Sequence, residues 1–211
     1  MSEKENYNLE VTTQRLEAFS DGVFAIAITL LILEIKLPNA DTLKNQSLAH
    51  YLLNLWPKYF AYVFSFVIIG IYWANHHYLF KLFNRTDHGF NMLNVLFLLT
   101  IAFLPYPTAV FGEFIMEHEQ QSPAVTFYAI SIFLPAFFWL MIWLYASHKR
   151  KLLVPHLADS FIQFLTKQFI VTNILYFGAI IVSFFSPVAS VMINVVLTLL
   201  YSLPPKKPIF N

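Results

Sequence analysis

Six long apolar stretches, separated by short polar segments, constrain this chain more than any other feature of its sequence. They lie at about 16–37, 55–80, 90–111, 123–146, 161–185 and 187–203. A helix needs about 20 apolar residues to cross a bilayer. Only 12% of the residues are charged, about half the charged fraction of a typical soluble domain. The sequence therefore predicts an all-α membrane protein with six transmembrane helices, folded as a single domain over residues 1–211.

The same composition argues against several classes of function. The chain has no cysteine and only five glycines, which removes a disulfide framework and a Gly-rich phosphate loop. A net charge of +1 provides no surface for a polyanion, so we expect no nucleic-acid partner. The seven histidines are scattered along the chain, and we expect no catalytic residue, resident metal or cofactor. The polar, acidic N-terminus MSEKENYNLE does not have the pattern of a signal peptide.

Positively charged residues are distributed unequally between the two sides of a six-span topology. One side holds Lys4, Arg15, Lys81, Arg85, Lys149, Arg150, Lys151, Lys206 and Lys207. The other side holds only Lys36, Lys44 and Lys58. Cytoplasmic loops carry the excess of lysine and arginine. This asymmetry predicts a multi-pass protein of the plasma membrane with both termini in the cytoplasm.

The first stretch is unlike a helix that faces lipid on all sides. Its apolar run covers only residues 22–33, because Asp21 precedes it and Glu34 follows it. Charged residues within membrane helices usually face the interior of a bundle or a water-filled space. At 100° per residue, one stripe of this helix contains Arg15, Phe19, Gly22, Ile26, Thr29, Leu30, Leu33 and Leu37. Ser20 and Asp21 point elsewhere.

The spacing of this stripe leaves two interpretations open. Its aliphatic side chains could pack against other helices of the same subunit, which is the usual role of such positions. Alternatively, several copies of the helix could converge on an axis. Ile26, Leu30 and Leu33 would then form rings that exclude water, a hydrophobic constriction.

The second helix offers hydrogen-bond partners for Asp21. Trp73, Asn75, His76 and His77 lie near its cytoplasmic end, at a depth similar to that of Asp21. A carboxylate at this depth needs donors, which indole, imidazole and amide groups supply. We interpret the cluster as a polar clamp between helices, with proton sensing by the histidines as the functional alternative. Adjacent histidines on a helix diverge by about 100°, which disfavours a metal site.

Arg15, Phe19, Ser20 and Asp21 form an R-x-x-x-F-S-D signature. With the aliphatic run that follows and the Trp73/His76/His77 cluster, the chain resembles the prokaryotic branch of the transmembrane protein 175 family of potassium channels. The resemblance implies a homotetramer in the lipid bilayer, with a central pore lined by the first helix and potassium ions as the permeant species.

The resemblance also implies roles for individual residues. Ile26 matches the principal constriction, Leu30 and Leu33 match further apolar rings, and Thr29 matches a layer linked to potassium preference. Arg15, Ser20 and Asp21 match a polar network that joins the first helix to the second. Ala25 stands where some relatives have serine, so we expect moderate selectivity.

Three alternatives differ in class from a channel. A proton-coupled secondary transporter would use Asp21 with His76 and His77 as a relay, although such proteins usually have broken helices and a site at mid-membrane. A membrane enzyme with a histidine-bound metal and a structural assembly protein are the others. Flux driven by a proton gradient, metal analysis and the absence of conductance would distinguish them.

Overall fold

The computed structural model describes residues 13–39, 43–44 and 46–210, which form helices with no β-strand among them beyond isolated bridges. The helices are α1 (Thr13–Leu30), α2 (Leu48–Asn54), α3 (Trp56–Phe80), α4 (His88–Phe103), α5 (Pro105–Phe114), α6 (Gln121–Ser147), α7 (Asp159–Ser183) and α8 (Pro187–Tyr201). Short 3-10 segments follow α1 at Leu31–Glu34 and α6 at His148–Arg150. Lys4, used above for the orientation, lies outside the described residues.

Five helical segments in the described part of the chain are long and apolar enough to cross a membrane. They are Thr13–Glu34, Trp56–Phe80, His88–Phe114, Gln121–Arg150 and Asp159–Ser183. The protein is therefore a multi-pass helical membrane protein. The predicted sixth span contains only the 15 residues of α8, a length of about 22 Å at 1.5 Å per residue. This is short of the roughly 30 Å hydrocarbon core, so six spans per subunit stays a prediction.

Prolines coincide with breaks in the first and third apolar stretches, although Pro135 lies inside the continuous helix α6. The third apolar stretch divides at Leu104: α4 ends at Phe103, and Pro105 occupies the first turn of α5, where its missing N–H costs nothing. The first stretch ends earlier than predicted. Its helix stops at Glu34, Ile35 is extended, and Leu37 lies in the non-helical segment before Pro38. A residue that precedes proline is disfavoured in the helical region.

The polar segment between the first two apolar stretches contains the short helix α2. Ser47 caps it, since the Ser47 hydroxyl accepts a hydrogen bond from the His50 amide at 3.2 Å. A serine at the N-cap of a helix accepts from a backbone N–H that the first turn would otherwise leave unpaired.

Helix α6 lies at the centre of the subunit and packs against α4, α5, α7 and α8. Helix α3 packs closely on α5, and a Cβ added at Gly112 would lie only 3.1 Å from the Lys58 Cα. A buried cluster of hydroxyl groups joins α3, α5 and α6: Ser65 lies 2.7 Å from Thr108 and 2.6 Å from Tyr128. Helix α1 packs against α3 and α4 at the margin of the bundle and is the least buried of the five spanning segments.

The loops after α3 and α6 meet at one end of the bundle. The Asn84 amide donates to the Leu152 carbonyl at 2.9 Å, and the Val154 amide donates to the Leu82 carbonyl at 2.9 Å. The C-terminal segment reaches the same end, where the Ala158 amide donates to the Ile209 carbonyl at 2.8 Å. The basic residues of these three segments therefore lie on one side of the bundle.

Candidate functional site

One face of α1 is uncovered by its own subunit. Ile26 is 60% exposed, Leu33 is 67% exposed and Leu30 is 40% exposed, and Thr29 is also exposed. These are the residues that the sequence placed on one stripe. Phe19, at the start of the stripe, is exposed as well. Within the subunit, the stripe is therefore not a packing surface.

The opposite face of α1 is fully packed. Ser20, Phe24, Ala27 and Leu31 are each no more than 1% exposed, and their spacing of three or four residues places them on one side of a helix. Phe24 contacts the ring of Phe97 on α4 edge-on at 6.0 Å. The subunit thus fixes the rotation of α1 and directs Ile26 and Leu33 away from its own core.

The packed face also carries a buried polar network that crosses three helices. The Asn94 amide nitrogen on α4 donates to the Ser20 hydroxyl on α1 at 3.0 Å. The Asn94 carbonyl oxygen lies 3.2 Å from Nε2 of His76 on α3, and since this oxygen can only accept, His76 donates. The Ser20 hydroxyl in turn donates to the Leu16 carbonyl at 2.8 Å. The three side chains are at most 1% exposed.

Asp21 lies outside this network, at an exposed edge between α1 and α3. It accepts a hydrogen bond from the Trp73 indole nitrogen at 3.0 Å. Trp73 is 49% exposed, and Asp21 is exposed too. Of the expected donors, the Trp73 indole bonds Asp21, whereas the His76 imidazole is turned inward to Asn94; a role for His77 stays a prediction.

The remaining predicted cluster residues are not brought together. His77 is exposed, whereas its neighbour His76 is buried. Asn75 donates to the Ile71 carbonyl of its own helix at 3.0 Å. Arg15 is exposed, and no hydrogen bond within the described residues links it to Asp21. A 100° step separates neighbouring helical residues, so three consecutive side chains cannot share one site.

Asn94 is the residue whose importance the sequence conveyed least. Its signal was a pair of asparagines, Asn91 and Asn94, within an otherwise apolar helix, which indicated a hydrogen bond across helices without naming the partner. In the structure Asn94 is the only link between Ser20 and His76 among the described residues. No cluster of three or more His, Cys, Asp or Glu side chains within the same residues could hold a metal ion.

These features define a class: a multi-pass helical membrane protein whose first helix is held by a buried polar network and presents an uncovered apolar face. Residues 15–105 match the family model described as endosomal/lysosomal potassium channel TMEM175. A potassium channel from Chamaesiphon minutus is 40% identical over 191 residues, which cover 90% of this chain and 94% of that protein. The chain belongs to the TMEM175 family.

Other relatives differ in length and in the ion that their names carry. A potassium channel from a Chryseobacterium species is 30% identical and covers 93% of this chain and 96% of its own length. The chicken endosomal/lysosomal proton channel TMEM175 is 34% identical over 72% of this chain but only 34% of its own. This chain therefore spans about a third of that animal protein.

Solved structures agree with the fold. The crystal structure of a lysosomal potassium-selective channel TMEM175 homolog from Chamaesiphon minutus has a TM-score of 0.81 at 39% identity. The similarity covers 90% of this chain and 96% of the other. A second structure, that of a variant of the potassium channel MtTMEM175 in complex with a nanobody fusion protein, has a TM-score of 0.58 at 21% identity and supports the fold alone.

Proposed function

We propose that this protein is a moderately potassium-selective cation channel, a homotetramer whose pore is lined by four copies of α1. One observation carries the proposal: the uncharged face that contains Ile26 and Leu33 is exposed, while the opposite face of α1 is buried. Membership of the TMEM175 family supports a pore on this face, since several relatives are named potassium channels. Each subunit folds as one domain and contributes six spans, with α8 as the sixth.

Ile26 forms the principal constriction, with Leu30 and Leu33 as further apolar rings toward the outside. Rings of aliphatic side chains gate by disfavouring water in a narrow pore. The support is the exposure of all three side chains on one uncharged face. A carbonyl-loop filter of the T-V-G-Y-G type is absent from the sequence, so selection falls to partial dehydration and to side-chain oxygens.

Thr29 supplies the oxygen for potassium preference. Its hydroxyl lies 2.9 Å from both the Ala25 carbonyl and the Ile26 carbonyl, so its one proton is held by the helix backbone. A hydroxyl has one donor and two acceptor lone pairs. The Thr29 oxygen can therefore accept a cation without first breaking a hydrogen bond of its own.

The polar network sets the rotation of α1, and through it the alignment of the pore face. The hydrogen bonds from Asn94 to Ser20 and from His76 to Asn94 tie α1 to α3 and α4. The Asp21–Trp73 hydrogen bond adds a second tie at the exposed edge. We assign these residues a positioning role. Membership of Arg15, Phe19, Asn75 and His77 in the polar network between helices stays a prediction.

We place the protein in the plasma membrane with both termini in the cytoplasm. Two geometric observations support this orientation in addition to the count of positively charged residues. The loops that carry Arg85 and Lys151 meet at one end, and the Arg85 guanidinium donates to the Lys151 carbonyl at 3.3 Å. At the other end, Lys58 is paired with Glu113 at 2.5 Å. The excess of positive charge at the first end matches the cytoplasmic side.

The relatives do not favour the transporter alternative, because their names describe channels. A proton relay would also require His76 to exchange protons with solvent, yet His76 is 1% exposed and bonded to Asn94. Some relatives are named potassium channels and others proton channels, so proton permeation should be measured as well.

Planar-bilayer recording of the purified protein tests the proposed function. With potassium on one side and sodium on the other, we expect single-channel currents whose reversal potential favours potassium. A proton gradient at symmetrical potassium should leave the reversal potential nearly unchanged. Purified tetramer that gives no conductance would contradict the proposal, and flux strictly coupled to the proton gradient would instead support the transporter.

A further inference from the structure

A cavity of about 340 Å³ lies inside each subunit, between α3, α6, α7 and α8. Sites for small ligands commonly begin at about 300 Å³. Along α7 its wall extends from Phe164 to Tyr176, a length of about 18 Å at 1.5 Å per residue. Each leaflet of a bilayer contributes about 15 Å to the hydrocarbon core. The cavity is therefore elongated along the helices and about as long as an acyl chain in one leaflet.

The rim of the cavity is apolar and exposed. Phe164, Leu200 and Leu203 line the cavity and are exposed as well. The exposed apolar surface continues along α7 to Ile174. On a membrane-spanning helix, a continuous apolar surface of this kind is a contact surface for lipid. The cavity is therefore accessible from the hydrocarbon region of the bilayer.

The interior of the cavity suits a hydrocarbon chain. Trp139 and Leu165 provide buried apolar surface. The Thr172 and Thr198 hydroxyls and the Asn75 amide each donate to a carbonyl four residues earlier in their own helices, at 2.7, 2.8 and 3.0 Å. Because these groups already have acceptors, an apolar occupant would not leave their hydrogen bonds unmade.

One end of the cavity carries positive charge. Lys206 is part of the wall, and its ammonium group lies over the Phe164 ring, 4.5 Å from the centroid. Lys206 and Lys207 are exposed, and neither forms an ion pair within the described residues. Lys167, one turn after Phe164 on α7, is exposed as well. Within the described part of the chain no aspartate or glutamate lines the cavity. This end therefore favours an anion.

Two hydrogen bonds hold Lys206 at this end of the cavity. The Tyr78 hydroxyl of α3 donates to the Lys206 carbonyl at 2.5 Å. Three residues further on, the Ile209 carbonyl accepts from the Ala158 amide at 2.8 Å. The C-terminal segment is thus fixed against the bundle on both sides of Lys207, and the two lysines belong to the mouth of the cavity.

We propose that this cavity binds an anionic phospholipid, with the phosphate at Lys206 and Lys207 and one acyl chain between α3, α7 and α8. An apolar space as long as one leaflet, with positive charge at one end, matches both parts of such a lipid. The mouth lies at the end assigned above to the cytoplasm, so the lipid comes from the cytoplasmic leaflet. The inference does not depend on the proposed channel function, since the cavity is complete within one subunit.

Native mass spectrometry of the purified, delipidated full-length protein tests the headgroup preference without any substitution. The probes are phosphatidylglycerol and phosphatidylcholine with the same acyl chains. We expect saturable binding of phosphatidylglycerol, about tenfold tighter than that of phosphatidylcholine. Glycerol phosphate, which has the charge but no acyl chain, should not compete. Equal affinity for the two lipids, binding that never saturates, or competition by glycerol phosphate would overturn the proposal.

Substitutions of lysine locate the headgroup. Lys206→Gln should reduce the preference for phosphatidylglycerol about fivefold, the usual contribution of one lysine near an anionic lipid surface. Lys206→Arg should retain the preference. Lys149→Gln is the matched control, because Lys149 is exposed at the same end of the bundle but does not line the cavity. Equal preferences in the two glutamine variants would show a general attraction to this end and overturn the site.

Tryptophan fluorescence locates the acyl chain, because bromine quenches tryptophan on contact and Trp139 is buried in the wall. The Trp139 signal is the difference between the unaltered protein and Trp139→Phe. Phosphatidylglycerol with a brominated acyl chain should quench this signal, and brominated phosphatidylcholine at the same concentration should not. Ile71→Phe narrows the cavity and should prevent the quenching, whereas Val67→Phe, on the exposed part of α3, should not. A Trp139 signal that both lipids quench equally, or that neither quenches, would overturn the proposal.

Discussion

At the scale of single residues, Ile26 is the most direct test of the pore face. Ile26→Asn should raise resting conductance about tenfold, which corresponds to a barrier lowered by about 1.4 kcal/mol. The physical reason is that four amide groups hydrate a constriction that four isoleucines keep dry. Ion flux into liposomes measures the effect. Ile174→Asn is the matched control, because Ile174 is 63% exposed on α7. Equal flux in both variants would remove Ile26 from the pore.

Thr29 tests selectivity separately from gating. Thr29→Val keeps the shape and the β-branch but removes the oxygen, so we expect the potassium/sodium permeability ratio to fall toward unity while conductance persists. Thr29→Ser retains the hydroxyl and should keep most of the preference. Reversal potentials under bi-ionic conditions provide the measurement. If the valine variant keeps the ratio of the unaltered channel, selectivity resides elsewhere.

Asn94 tests the network that positions α1. Asn94→Leu leaves the His76 donor and the Ser20 hydroxyl without their buried partner, so the protein should lose about 1–3 kcal/mol of stability. Thermal unfolding in detergent reports this loss. Asn91→Leu on the same helix is the control, because the buried Asn91 carbonyl oxygen has no partner among the described residues to lose. If Asn91→Leu is as unstable as Asn94→Leu, the loss of stability comes from a change in packing volume and not from lost hydrogen bonds.

At the scale of elements, the start of α4 is held by Asp87. Its carboxylate accepts from the Phe90 amide at 2.9 Å and from the Tyr145 hydroxyl at 3.0 Å, and pairs with Lys151 at 2.5 Å. Partial burial acts to raise the pKa of Asp87, but these three partners outweigh it and lower the pKa below the ordinary value. Helix α4 is thereby anchored to the end of α6. Gly89 leaves room for this contact, since an added Cβ would lie 2.5 Å from the Tyr145 hydroxyl and Tyr145 would have to shift.

This anchor predicts a pH-dependent stability with a definite sign. A lowered pKa stabilises the fold fully above the ordinary carboxyl pKa of about 3.9. The stabilisation is lost as pH falls through the lowered value. Asp87→Asn should therefore lower the thermal midpoint by a few degrees at neutral pH. In acid, the midpoint of this variant should approach that of the unaltered protein. Asp159→Asn, at the more exposed pair with Arg150, should change the midpoint less. A constant difference across pH would contradict the assignment.

At the scale of the whole molecule, what covers α1 decides between a pore and a lipid-facing surface. The chain has no cysteine, so one introduced thiol is unique. In Leu33→Cys, we expect a cationic thiol reagent applied from outside to block the current, because it reaches the thiol only through water. Ile174→Cys has nearly the same exposure, 63% against 67%, and should not respond if it faces lipid. Block of both, or of neither, would place the pore on a different helix.

The existence of the helices and the grouping of Ile26 and Leu33 on one face of α1 were predictable, because they depend on local patterns, whereas the direction in which that face points was not. An apolar run of about 20 residues needs a helix to satisfy its backbone in lipid, and the 3.6-residue period assigns Ile26 and Leu33 to one side. The break at Leu104 followed from Pro105 in the same way. The end of α1 was less predictable, since Leu37 lies outside the helix. Whether α8 crosses the membrane is equally undetermined by composition.

The sequence by itself determined the class of protein, the segments that form helices and the uncharged face of α1, because hydropathy and periodicity act within a single helix. Only the tertiary structure decided which polar residues meet. It joined Ser20 to His76 through Asn94 and left Asp21 to Trp73 alone. Such pairings depend on how helices far apart in sequence are rotated and stacked against one another, and no local pattern encodes that packing.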